Sequence, residues 1–148
     1  MNPLNGPATS YTVAKFFIDT NILVYTLDPR NPQKHLTARN FLHSAIKEHN
    51  PVISTQVLKE FYVAATVKLK ADPVSVKAIL HNFQNLEIIN NDLELIEQAI
   101  DISISARLSF WDSLIIAAAE KARCDAIFSE DLNSGQLYRG IRLVNPFS

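Results

Sequence analysis

The sequence predicts an α/β fold: a single-domain α/β/α sandwich around a central, mostly parallel twisted sheet. Three observations predict it. Short apolar runs recur along the chain, segments with helical spacing separate them, and Pro or Asn/Asp residues stand where those helices would begin. At 148 residues the chain is long enough for one domain that buries roughly two thirds of its unfolded surface.

The elements follow in order. Residues 1–13 ("MNPLNGPATSYTV"), with Pro3, Gly6 and Pro7, are expected to form a loose tail ahead of a domain spanning 14–148. They lack the basic start and continuous apolar core of a signal peptide. Lys15–Ile18 is an apolar run typical of a strand buried on both faces. Asn31 and Pro32 open a helix by N-cap and first-turn proline, with Leu36, Phe41, Leu42, Ala45 and Ile46 on one face. Pro51–Ser54 gives a second strand. Ser54 or Thr55 then caps a helix whose arc is Val57, Leu58, Phe61, Tyr62 and Ala65. Asp72 and Pro73 repeat the Asn31–Pro32 device ahead of Val76, Ile79, Leu80 and Phe83. Leu86–Ile89 is the third strand, followed by Asn91 and Glu94 at capping-box spacing. The block Leu114–Ala119 is apolar all round, as in a helix buried inside a domain. Ala126–Ser129 and Ile141–Val144 supply two further strands.

Composition excludes several classes. With 47% hydrophobic and 20% charged residues, the chain is neither disordered nor fibrous. A net charge of −1 argues against a protein that coats nucleic acid through bulk positive charge. The lone Cys124 cannot form an internal disulfide, which fits a reducing, cytoplasmic setting. No apolar stretch approaches membrane-spanning length. His35, His43, His49 and His81 show no metal-ligand spacing, and there is no Walker loop, GxGxxG or GxSxG.

Chemistry is carried by acids at strand and helix ends. Asp19 directly follows the first strand in "FFIDTNILVY" and suits either a helix cap or a metal ligand. Glu60 falls outside its helix's apolar arc beside Val63 and Val67, as a solvated glutamate or a half-buried one near a second subunit. Asp112 stands at the mouth of the apolar helix, where the dipole favours an ionised carboxylate and where capping is the plainer role. Its neighbour Trp111 is expected to pack rather than to stack bases. Asp131 and Glu130 follow the fourth strand, as solvated loop acids or as counterparts of Asp19. In an open α/β sheet, strand ends near a reversal of strand order share one crevice. Two carboxylates 5 Å apart repel by roughly 3 kcal/mol at an effective dielectric near 20. A hard cation, Mg²⁺ or Mn²⁺ with water completing its shell, relieves such repulsion.

The ordered blocks "FFIDTNILVY", "ISTQVLKEFYVAA" and "FWDSLIIAAAEKARCDAIFSEDL" resemble the PIN-domain family, including the VapC-type toxins of bacterial toxin–antitoxin pairs. The resemblance runs from about Lys15 to the C-terminus. It implies Asp19, Glu60, Asp112 and Asp131 as catalytic, metal-binding residues, with Thr20, Asn21 and Ser129 as polar supports. Asp131 rather than Glu130 matches the final acid, since the family's order is Ser or Thr, any residue, then Asp. The implied activity is hydrolysis of RNA phosphodiester bonds with Mg²⁺ or Mn²⁺. The implied partners are a cognate antitoxin and a second copy of the chain. The tail is a departure, because members often begin almost at the first strand.

Two other functions compete. A non-catalytic PIN-like module binding RNA or protein would need none of the acids, and all four are present. An aspartyl-nucleophile phosphohydrolase generally wants a second Asp two positions after the first, where Asn21 stands. Basic residues available to a polyanion include Lys59, Lys68, Lys70, Arg107, Lys121, Arg123 and Arg139, none of which the sequence assigns to a cleft.

Overall fold

The computed structural model describes residues 15–132 and 134–148, so the expected tail lies outside the described residues. The chain runs β1 (Lys15–Ile18), α1 (Thr20–Tyr25), α2 (Pro32–Glu48), β2 (Asn50–Ser54) and α3 (Thr55–Val63). A π-helical turn, Ala64–Lys68, leads through α4 (Pro73–Asn82) and a 3₁₀ turn (Phe83–Asn85) to β3 (Glu87–Ile89). Then come α5 (Leu93–Ala106), α6 (Phe110–Lys121), β4 (Ala126–Phe128), β5 (Leu137–Tyr138) and β6 (Ile141–Val144).

The strands form one mixed sheet in the order β3-β2-β1-β4-β6-β5, flanked by helices. All pairings are parallel except β5 with β6. Strand order therefore reverses between β1 and β4, whose register pairs Phe16 with Ala126 and Ile18 with Phe128. That reversal opens a crevice beyond the carboxyl ends of these two strands. The backbone N–H of Asp19 donates to Phe128 O at 3.0 Å, which carries the pairing one residue past the strand end.

Side chains alternate across the sheet. Phe16 and Phe128 meet at 5.1 Å between ring centroids, and Phe41 of α2 closes on Phe128 at 4.8 Å. Helix α6 is buried from Ser113 through Ala119 and packs on β2 and β4, as its all-round apolar sequence predicts. Among the described residues no single helix is long and apolar enough to cross a membrane.

Several local expectations hold. Asn31 and Asp72 accept from Lys34 N and Ser75 N, each with proline opening the helix. Others are corrected. Leu36 and Ile46 are 60% and 51% exposed, because α2 meets the core through the narrower line Ala38, Phe41 and Ala45. Asp92 rather than Asn91 caps α5, and Asn91 is engaged with Thr55. The antiparallel strand β5 is absent from the sequence reading. Its hairpin turns on Arg139 (φ 49°) and Gly140 (φ 81°), two consecutive left-handed residues that suit the twist of a two-residue loop.

Candidate functional site

The crevice at the β1/β4 reversal is a cleft of about 620 Å³, lined by Asp19, Glu60, Asp112 and Asp131 together with Thr20, Asn21, Gln56 and Trp111. Chain segments far apart in the sequence thus bring the four predicted acids to one cavity.

Asp19 is the buried member. Its backbone is extended at the end of β1, and its Oδ1 accepts from Thr20 N at 2.8 Å at the start of α1. Its Oδ2 accepts from Ser129 Oγ at 2.7 Å. Capping and facing the cleft, set out above as alternatives, coexist in this residue. Burial pushes the Asp19 carboxyl up to about 6 against the pull of those two hydrogen bonds, with Glu60 and Asp131 adding repulsion.

The other acids are more open. Glu60, exposed on α3, accepts from Thr20 Oγ1 at 2.8 Å and from Gln56 Nε2 at 3.5 Å. Asp131 Oδ2 accepts from Asn21 Nδ2 at 3.0 Å, and its N–H donates to Ser129 Oγ at 3.1 Å. Asp112 occupies the first turn of α6 without capping it. Ser109 is the cap and receives the Asp112 N–H at 3.0 Å, which leaves the carboxylate beside the positive helix end. Glu130 also lines the cleft but is held by Lys34, while Asn21 Oδ1 accepts from the Glu130 N–H at 3.2 Å.

Thr20, Asn21 and Ser129 therefore thread between the acids as neutral bridges. These bridges link acids near enough for Glu60 and Asp131 to act on Asp19. Among the described residues no three His, Cys, Asp or Glu side chains stand close enough to encage an ion by themselves.

Sequence reasoning did not single out Gln56 or Arg30 for the site. Gln56 Nε2 donates to both Glu60 and Trp111 O (3.3 Å), which fixes the amide's orientation and leaves Oε1 buried without a hydrogen-bond partner. Arg30 lines the cleft from the loop before α2. Trp111, expected in the core or at its rim, is 62% exposed, packs against Phe110 and lines both this cleft and an adjoining apolar groove with Lys59 and Ile96. The first two fall in segments that read as loop and as helix interior. Trp111's position just outside the fully apolar block was the available signal.

The family model of the PIN domain matches residues 16–139, which span the cleft and every strand that builds it. The chain belongs to the PIN domain family. Solved structures with the same fold include the VapC20 toxin of Mycobacterium tuberculosis, titled a sarcin–ricin loop cleaving toxin. That structure shares 21% identity at a TM-score of 0.65, over 78% of this chain and 91% of that one. A DNA-bound VapBC complex from Salmonella typhimurium aligns at 23% identity and TM-score 0.62, covering 88% of this chain and 96% of that one. A toxin–antitoxin complex from Klebsiella pneumoniae aligns at 18% identity and TM-score 0.62 with the same coverages. No curated protein matches the chain at a significant level. In this PIN domain, then, the acids expected from sequence share a cleft at the place where the fold reverses its strand order.

Proposed function

We propose that this PIN domain is a Mg²⁺- or Mn²⁺-dependent endoribonuclease and the toxin of a toxin–antitoxin pair. The observation that carries the reading is the convergence of Asp19, Glu60, Asp112 and Asp131 on one cleft. Membership of the family and the fold shared with VapC proteins support it.

The donor set fits a hard cation. It is all oxygen, and burial together with Glu60 and Asp131 makes the ionised Asp19 carboxylate costly, a cost that a bound positive charge would offset. Mg²⁺ usually keeps several waters, which would complete its shell among these carboxylates. Asp19 and Asp112 would hold it, with Glu60 and Asp131 contributing directly or through water. When bound, such an ion supplies an activated water and neutralises charge on the phosphodiester.

The chain's own residues do the rest. Ser129 and Thr20 aim the two oxygens of Asp19, and Asn21 holds Asp131. Thr20 and Gln56 keep Glu60 against the cleft, and Ser109 locks the turn that carries Asp112.

The partner reading follows the toxin reading: a cognate antitoxin, and a homodimer paired through the apolar strip beside Glu60. Val63 and Val67, 56% and 70% exposed, support that face. Labelled RNA incubated with Mg²⁺ or Mn²⁺ should be cut; chelator should abolish cutting, and so should Asp112→Asn, without lowering the metal-free melting temperature. Cleavage that survives either change defeats the mechanism. Binding of RNA without turnover would leave the module reading in its place. Growth arrest on expression, rescued by an adjacent open reading frame, tests the toxin role.

A further inference from the structure

We propose that Arg30 and Lys68 form a phosphate clamp on the cleft, gripping the RNA backbone beside the scissile bond. This deepens the nuclease reading and rests on it.

The need for such a clamp comes from charge. Asp28 and Glu130 join the four proposed ligands in lining the cleft, and the cations among its lining residues are Arg30 and Lys68. A polyanion entering so acidic a cavity requires positive charge fixed near the metal ligands.

Arg30 is held for the purpose. Its Nε and Nη2 donate to Asp28 Oδ1 and Oδ2, each at 2.8 Å, and its backbone N–H donates to Oδ1 at 3.1 Å. The Asp28 side chain is 10% exposed and that of Arg30 63% exposed, so a sunken carboxylate anchors an outward guanidinium. Nη1 makes no hydrogen bond among the described residues. A guanidinium already oriented this way loses little freedom on meeting a phosphate. Arg30 and Lys68 both hold the Asp28 carboxyl well below the usual range, so the three groups lie within electrostatic reach and carry one net positive charge.

Lys68 reaches the cleft through an unusual winding. Glu60, Ala64 and Lys68 all line it, at four-residue intervals. In a continuous α-helix two such intervals would swing the last residue about 80° from the first. The π-helical turn Ala64–Lys68 is closed by Leu69 N donating to Ala64 O at 3.1 Å. Its longer hydrogen-bond span advances less per residue and takes that swing back. Turns of this kind are frequent at functional sites.

The test uses the full chain carrying Asp112→Asn, so that RNA is not cut, and a fluorescent single-stranded RNA read by anisotropy across a salt series. Arg30→Gln and Lys68→Gln should each weaken binding about 3- to 10-fold at low salt. Each should also reduce the slope of log affinity against log salt by about 0.7, one phosphate contact on a single strand. Lys68→Arg should keep both. Mn²⁺ affinity, titrated by calorimetry in the chain with Asp112 intact, should not be lowered by either glutamine. Binding and slope equal to the parent's in both variants would overturn the clamp. So would a lowered melt with an unaltered slope, since that marks Arg30 as a structural partner of Asp28. If the parent binds no RNA at all, the nuclease reading fails first, and the clamp with it.

Discussion

Replacing Asp19 by Asn should stabilise the metal-free protein in a pH-dependent way. The native carboxyl titrates near 6 against an ordinary 3.8, so the folded chain holds this proton more tightly than the unfolded chain does. Between those values wild-type stability falls as pH rises, and above about 6 the full cost of a buried ionised carboxylate is present. At about 1.4 kcal/mol per pH unit that cost is capped near 3 kcal/mol. Asn keeps the helix start, because it caps as well as Asp. With one oxygen it cannot accept from both Thr20 N and Ser129 Oγ, which returns about 1 kcal/mol of the gain. The net is about 1–2 kcal/mol, or about 3–6 °C in Tm for a chain of this size. The assay is a thermal melt in chelator at pH 4 and pH 7.5. The gain should be present at pH 7.5 and vanish at pH 4. An equal gain at both pH values, or a loss at pH 7.5, would refute the account of Asp19 as a desolvated carboxylate.

Three further outcomes are expected. Mn²⁺ affinity, measured by calorimetry, should fall about tenfold from pH 7.5 to pH 5, because the cation must then displace the Asp19 proton. Ser109→Ala should cost about 1 kcal/mol in a urea melt by removing the cap of α6, and should slow cleavage by loosening the turn that carries Asp112. Cys124 is buried, which pushes its thiol up to about 12, so a thiol reagent should react only at the rate of unfolding.

Much of the fold is legible because its signals are local. Pro32 and Pro73 behind capping residues, and apolar runs such as Phe16–Ile18, need no knowledge of what they touch. The acids at the ends of β1 and β4 are legible for a related reason: a parallel sheet carries its strand ends to one edge. What escapes is what only packing decides. Leu36 and Ile46 share a helical stripe with Phe41, yet the contact of α2 with the core is too narrow to cover them. The strand β5 has two residues and becomes a strand only through its pairing with β6. Arg30 reads as a loop cation until the side chain of Asp28 is seen beneath it. The hydrogen bonds by which Thr20, Asn21 and Ser129 hold Glu60, Asp131 and Asp19, too, are encoded by no spacing.

Two of the carboxylates that line the cleft, Asp112 and Glu60, ride on supports of unequal stiffness. Asp112 is rooted in a helix submerged over seven consecutive residues, so its position is inherited from the interior and has nowhere to travel. Glu60 stands exposed on α3, one turn ahead of a helix that changes its winding. Any adjustment to the proposed ion would therefore fall to the Glu60 wall, with the Asp112 wall serving as anvil.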